Sequence, residues 1–322
     1  MKLVAVDIGG THVRFALASV ARGRVTDLGT ATTLRAADHA SFEAAWASFA
    51  LAQAEPVPRA AAVAVACPVR GDELQLTNNP WRIRPDSIGK MLGVDAHLLI
   101  NDFEAVGHAV AQLGTADLRH ICGPNIALPR RGITTIVGPG TGLGVAQLLR
   151  DGETYQVVAC EGGHVDFAPL DAVDDAILAG LREAYGRVSV ERIVSGPGLS
   201  AIDAALARLE GRSSWQRGDE ALWTAALTGT DDRSVAALDR FCRCLGAIVG
   251  DLALAHGPTA VVIAGGLGQK LADHLPDSGF AERFVAKGRF QALMSTIPVK
   301  VVAHPQPGLF GAAAAFARAH CR

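Results

Sequence analysis

Asp7-Ile8-Gly9-Gly10-Thr11 sets two adjacent glycines between apolar runs. Lacking Cβ atoms, such a turn lets backbone amides come close to phosphate oxygens. An acidic residue ahead of it would repel a phosphate unless Asp7 faces a hydrated magnesium ion that neutralises the charge. Taken alone, a plain turn capped by Asp7 is the other reading. A second run, Gly138-Pro-Gly140-Thr141-Gly142-Leu-Gly144, shifts that balance, because paired turns suit two loops closing on one polyphosphate, with the Thr141 hydroxyl as a further donor. No G-K-[ST] sequence is present and both turns lead into strands, so neither a Walker A loop nor a dinucleotide fingerprint fits. A third element, Gly265-Gly266, follows an apolar run and precedes a helix-like Gln269–His274 stretch. A flat base or ribose could lie on that bare backbone, and a simple strand-to-helix turn explains it equally.

Asn101-Asp102 ends a strand-like run and opens a helix-like one. A rigid scaffold often presents catalytic groups at such a junction, and a helix N-cap is the competing explanation. Glu161-Gly-Gly-His164-Val-Asp166 packs three ionisable groups into six residues, which is costly to bury without a ligand or a hydrogen-bond network. Glu161 and His164 offer one carboxylate and one nitrogen, fewer than the three protein ligands usual at catalytic zinc. A hydroxyl-rich ligand suits them better.

The elements that must hold these residues follow from periodicity. Strands are expected at Leu3–Ile8, Val13–Val20, Ala61–Ala66, His97–Ile100, Ile133–Val137, Val145–Leu149, Ala260–Ala264 and Val299–Ala303. Helices are expected at Ser41–Ala54, Phe103–Leu113, Asp171–Tyr185, Gly198–Leu209, Asp231–His256 and Gly308–His320. The alternation indicates an α/β class with layered sheets, in two halves that each open on a glycine-turned hairpin.

At 322 residues the chain exceeds the usual size of one core, so about two domains with a cleft between them are expected. Hydrophobic residues make up 49% and charged ones 19%, which argues for a globular chain. Thirty basic against 32 acidic residues, without a basic run, exclude nucleic acid as an expected partner. Met1–Val6 enters a strand pattern at once, so no export signal is expected, and no apolar stretch reaches the roughly 20 residues of a membrane helix. The six cysteines form no paired C-x-x-C pattern and are expected reduced and mostly buried.

Asp7-Ile-Gly-Gly-Thr-His-Val-Arg14, Ala66-Cys-Pro68 with Thr77-Asn78, Ile100-Asn-Asp-Phe103, Gly138–Gly144, Glu161–Pro169, Glu191-Arg-Ile-Val-Ser-Gly-Pro-Gly198 and Ile263-Ala-Gly-Gly266 occur in order. In that order they closely resemble the bacterial glucokinase family, a branch of the actin-like sugar kinases, from Leu3 to about Ala313. The resemblance implies a two-domain, actin-like (ribonuclease H-like) α/β fold with a cleft. Its small domain would be residues 1–112 plus 303–322, and its large domain residues 113–302. It implies a cytoplasmic homodimer that moves the γ-phosphoryl group of ATP, carried with Mg2+, to the 6-hydroxyl of glucose. Asp102 matches the base. Asn101, Asp102, Glu161, His164 and Glu191 match the sugar contacts. Asp7, Ile8, Gly9, Gly10, Thr11, Gly140, Thr141 and Gly142 match the phosphate loops, and Gly265 and Gly266 match the adenosine segment.

A base of this kind accepts the proton of a poorly nucleophilic hydroxyl and does not require an elevated pKa. Closure on the sugar is expected to limit hydrolysis of ATP by water. The sequence after His164, Val-Asp-Phe-Ala-Pro169, has none of the cysteines of the related zinc-bearing repressor and kinase family, so no structural zinc is expected. A DNA-binding sugar sensor would carry a helix-turn-helix segment ahead of Leu3, and none is expected here. Two alternatives stay open at this level: a kinase for another hexose, with Asn78-Asn79-Pro80 and Pro139 adjusting preference, and a catalytically silent sugar-binding regulator.

Overall fold

The computed structural model describes all residues except Thr77, Asn78, Arg217 and Arg322. The Thr77-Asn78 part of the motif series therefore lies outside the described residues. Two compact units emerge: Met1–Gly114 with Val157–Ala159 and the chain from His304 onward, and Thr115–Gln156 with Cys160–Ala303.

Strand β1 (Lys2–Ile8) is apolar on both faces, with Leu3 to Val6 and Ile8 fully buried, as a strand covered from both sides must be. It pairs antiparallel with β2 (His12–Ala21), which carries β3 (Arg24–Leu28) and β4 (Thr32–Arg35). On its other edge β1 pairs parallel with β5 (Ala60–Val65). A short hairpin, β6 (Leu74–Gln75) and β7 (Arg82–Ile83), leads on to β8 (Ala96–Asn101), which is parallel to β5. The sheet order is β3-β2-β1-β5-β8, with β4 beside β2.

Alternate residues of β1 feed two cores. Val4, Val6 and Ile8 meet an aromatic layer of Phe15, Phe42, Trp46, Phe49 and Trp81, set by α1 (Phe42–Leu51) with α2 (Ile88–Leu92) beside it. Ser41 caps α1 by accepting from the Ala44 amide at 3.2 Å. Leu3 and Ala5 face the other core, where the helix Pro307–His320 packs with α3 (Asp102–Gln112).

The second sheet repeats the strand plan. β9 (Leu118–Cys122) precedes β10 (Arg131–Pro139), β11 (Leu143–Asp151) and β12 (Thr154–Cys160). β10 pairs antiparallel with β11 and parallel with β13 (Ala260–Ile263), which is parallel to β14 (Val299–Val302). The order β12-β11-β10-β13-β14 matches β3-β2-β1-β5-β8 of the first sheet, with β9 added at the far edge. Helices α4 (Ala172–Tyr185), α5 (Gly198–Leu209), α6 (Asp219–Thr228) and α7 (Asp232–His256) contribute to its core. The shorter α8 (Gly265–Lys270), α9 (Phe280–Val285) and α10 (Gln291–Met294) follow, and α11 (Pro307–His320) returns to the first unit.

One expected boundary is wrong. The helix after β13 starts at Gly265, not beyond the glycines, and it ends at Lys270 before reaching His274. The reason is local: Ala264 is extended and Gly265 has φ +78°, so the glycine makes the turn and enters the helix at once. The six cysteines are free thiols, with Cys67, Cys242 and Cys244 buried and the others partly buried. Among the described residues, no helix is long and apolar enough to cross a membrane.

Candidate functional site

In the first unit the register of three parallel strands brings the polar residues together. Ile8 is opposite Val65, and Val65 is opposite Asn101, so β1, β5 and β8 end side by side. Ligands of open α/β sheets commonly bind beyond such carboxyl ends. The turn after β1 is closed by the Gly9 amide donating to the His12 carbonyl at 2.9 Å. Arg14 Nη1 lies 3.3 Å from Asp7 Oδ2, and the Asp7 side chain remains 18% exposed. Burial pushes the Asp7 carboxyl above its ordinary value, against the pull of the Arg14 guanidinium.

Asn101, not Asp102, is the N-cap of α3. Its Oδ1 accepts from the amides of Phe103 at 2.9 Å and Glu104 at 3.1 Å. Its Nδ2 donates to the Cys67 carbonyl at 3.3 Å and to Asp102 Oδ1 at 3.0 Å. The Phe103 amide also donates to Asp102 Oδ1, at 2.9 Å. Asn101 and the Phe103 amide thus meet the same oxygen of Asp102, and the capping role is already filled by its neighbour. Desolvation, followed by the charge of Asp7, pushes the Asp102 carboxyl up to about 7, although hydrogen bonds from Phe103, its own amide and Asn101 pull the other way. A carboxyl poised there can exchange a proton near neutral pH.

Sequence reasoning only brushed against Asn79. Its side chain is buried, with Nδ2 donating to the Gly9 carbonyl at 3.2 Å and Oδ1 accepting from the Trp81 amide at 2.9 Å. Trp81 Nε1 in turn donates to the His39 carbonyl at 3.0 Å. A buried amide with both ends bonded fixes the backbone it touches. The signal available in the sequence was a polar pair before a Pro-Trp step, which has no pattern of its own.

In the second unit, β10 and β11 pair up to Pro139 opposite Leu143, leaving Gly140-Thr141-Gly142 as the hairpin tip. The Gly140 amide donates to the Gly142 carbonyl at 2.8 Å, and the Gly196 amide donates to the Gly140 carbonyl at 2.7 Å. Glu191 stands in a single 3-10 turn, Val190–Arg192, and its Oε2 accepts from the Leu143 amide at 2.9 Å. Gly163, from the Glu161–His164 segment, lies so close to the Leu143 carbonyl that a Cβ there would stand 2.1 Å from the oxygen. Gly265 abuts the other strand of the hairpin, where a Cβ would lie 2.7 Å from the Pro139 carbonyl oxygen. Gly140, Thr141, Gly142, Glu191 and Gly265 are therefore gathered around one hairpin.

Glu161, His164 and Asp166 depart from expectation. All three are exposed, so the penalty for burying them does not arise. Asp166 pairs with Arg187 at 2.8 Å, and Arg187 Nη2 also donates to the His164 carbonyl at 2.6 Å. This clamps the loop backbone and leaves the Glu161 and His164 side chains on the surface of their unit.

A family model described as glucokinase matches residues 3–319. The chain is 58% identical over 317 residues to a glucokinase of Zymomonas mobilis, covering 98% of each protein. The solved glucokinase of an Antarctic psychrotroph superposes with a TM-score of 0.83 at 30% identity, covering 98% of each chain. A ROK family glucokinase of Streptomyces griseus, solved with glucose and AMPPNP, shares the fold at a TM-score of 0.60 and 19% identity, covering 97% of this chain and 98% of that one.

Proposed function

The chain belongs to the glucokinase family and has its two-domain sugar-kinase fold, and from that premise we propose that it phosphorylates glucose at the 6-hydroxyl with ATP, giving glucose 6-phosphate and ADP. It is an ATP-dependent hexose kinase. The observation that supports its mechanism best is Asp102, whose Oδ1 is held by Asn101 and Phe103 and whose carboxyl is pushed up to about 7 beside the strand end bearing Asp7.

In this reading Asp102 Oδ2 accepts the proton of the sugar hydroxyl while that oxygen bonds to the γ-phosphorus. The bond from the γ-phosphorus to the bridging oxygen breaks, and ADP departs. Asn101, Glu161, His164 and Glu191 bond the remaining hydroxyls, so an analogue lacking one leaves a polar group unpaired. Asp7, Ile8, Gly9, Gly10 and Thr11 form one phosphate turn, and Gly140, Thr141 and Gly142 the other. Gly265 and Gly266 receive the adenosine.

Magnesium fits the first turn, because the mutual repulsion of the partly exposed Asp7 and Asp102 carboxylates is relieved by a divalent cation. Asp7 would face it through water, and the ion would offset the phosphate charge. The small domain is taken as residues 1–112 plus 303–322 and the large one as residues 113–302. A cytoplasmic homodimer belongs to the same reading, and sedimentation of the purified protein checks the dimer.

The test is phosphorylation of a hexose panel by purified protein with ATP and magnesium, beside Asp102→Asn. Turnover highest on glucose that collapses in the variant, with glucose still bound, supports the reading. Binding of glucose without turnover in the wild type replaces it with a silent sugar-binding regulator, and faster turnover on another hexose replaces the substrate.

A further inference from the structure

Leu143, the first residue of β11, is gripped at both ends of its peptide unit. Its amide donates to Glu191 Oε2 at 2.9 Å, and its carbonyl is packed against the bare backbone of Gly163. The hairpin tip beside it is equally constrained, because a Cβ on Gly142 would stand 2.5 Å from the same Glu191 oxygen. At the other end of the Glu191–Gly198 segment, the Gly196 amide holds the Gly140 carbonyl, and the Gly196 carbonyl accepts from Trp223 Nε1 at 2.8 Å. Trp223 is itself buried against Phe241, with ring centroids 5.1 Å apart, so this anchor is rigid.

We propose that Glu191 is a positioning residue that couples the sugar to the donor phosphates, one carboxylate oxygen fixing the Leu143 amide of the hairpin and the other taking a sugar hydroxyl. The proposal rests on the kinase reading above and adds a link within the second unit. A carboxylate has two acceptor oxygens, and only Oε2 is engaged by Leu143. Holding the sugar fixes the carboxylate plane, and through it the amide and the glycine tip that face the phosphates. Without sugar, Glu191 can swing away and the tip loses one of its two tethers, so the donor is held less firmly when only water could attack. Gly142 is required because any side chain there would displace the Glu191 carboxylate. The coupling is reciprocal, so bound donor must tighten sugar binding by the same factor.

The experiment is calorimetric titration of the full chain with glucose, alone and with saturating magnesium and a non-hydrolysable ATP analogue. In the wild type the analogue is expected to tighten glucose binding several-fold, within the range of about 5 to 150 usual for coupled sites. Glu191→Gln keeps an oxygen for the Leu143 amide, so glucose binds more weakly but the coupling factor survives. Glu191→Ala removes both, and Gly142→Ala, with Glu191 intact but displaced, brings the factor close to one. Equal coupling in wild type and Gly142→Ala, or loss of coupling in Glu191→Gln equal to that in Glu191→Ala, overturns the proposal. Wild-type binding of both ligands with no coupling overturns it too while leaving the kinase reading intact. Failure of the wild type to bind glucose at all is the separate outcome that removes that reading.

Discussion

The turn after β1 and the tip between β10 and β11 occupy matching places in sheets of matching strand order. At the first, an aspartate stands opposite an arginine in the register, Asp7 against Arg14. At the second, Gly138 stands opposite Gly144. The first turn is held by a buried side chain, Asn79, and has two carboxyls beside it whose values are both raised. The second is held by backbone, by Glu191 and by contacts only glycine permits. The same strand plan thus supports a turn flanked by two carboxyls in one unit and a tightly packed glycine tip in the other. The difference lies in what stands at the strand ends, which fold similarity does not dictate.

The sharpest way to break this contrast is Asp102→Asn. If proton transfer resides in the first unit, kcat falls by about 10²–10⁴ while the glucose dissociation constant changes little. Glu161→Gln in the second unit should instead act mainly on glucose KM, and steady-state kinetics of both variants separates the two. Next comes pH. Asp102 must be a carboxylate to accept a proton, so kcat/KM is expected to be full above about 7 and to fall roughly tenfold per unit below it. The charge of Asp7 raises that value, so Asp7→Asn should move the midpoint of the residual activity downward.

Smaller effects sharpen how each turn is held. Asn79→Ala removes the bond to Gly9 and leaves the Trp81 amide without its partner, so KM for ATP should rise about tenfold with glucose binding preserved. Gly265→Ala meets both a left-handed φ and the Pro139 carbonyl, and urea unfolding should show a loss of about 1–3 kcal/mol. Gly9→Ala, whose Cβ would sit 3.5 Å from the His12 carbonyl, should change stability by less than about 0.5 kcal/mol and weaken only ATP binding. A separate effect is on stability at Asp102. Its raised value means that the charged form disfavours the folded state once pH exceeds the ordinary 3.8, with the full cost above about 7. Asp102→Asn should therefore stabilise the sugar-free protein at pH 8, by at most about 4 kcal/mol, with the gain vanishing near pH 4.

The sequence by itself determined the strands that frame both turns, because continuous apolar runs bounded by glycine have one economical reading. It determined α3 and α7 closely, through their periodicity and caps, and the ordered motifs were enough to identify the family. It did not show β3, β4, β9 or β12, whose mixed patterns are set by sheet neighbours. Only the tertiary structure decided that Asn101 takes the capping role and leaves Asp102 available, since both residue types cap equally well in sequence. Only it decided that Glu161, His164 and Asp166 stay exposed, because burial is a property of what packs against a loop. The raised Asp102 carboxyl, the Asn79 brace and the Glu191 grip on Leu143 arise from residues 48 to 95 positions apart in the chain, or from burial that no local pattern records: Asp102 with Asp7, Asn79 with Gly9, Glu191 with Leu143. Electrostatics and hydrogen bonding act across space, and only the tertiary fold brought these groups within reach.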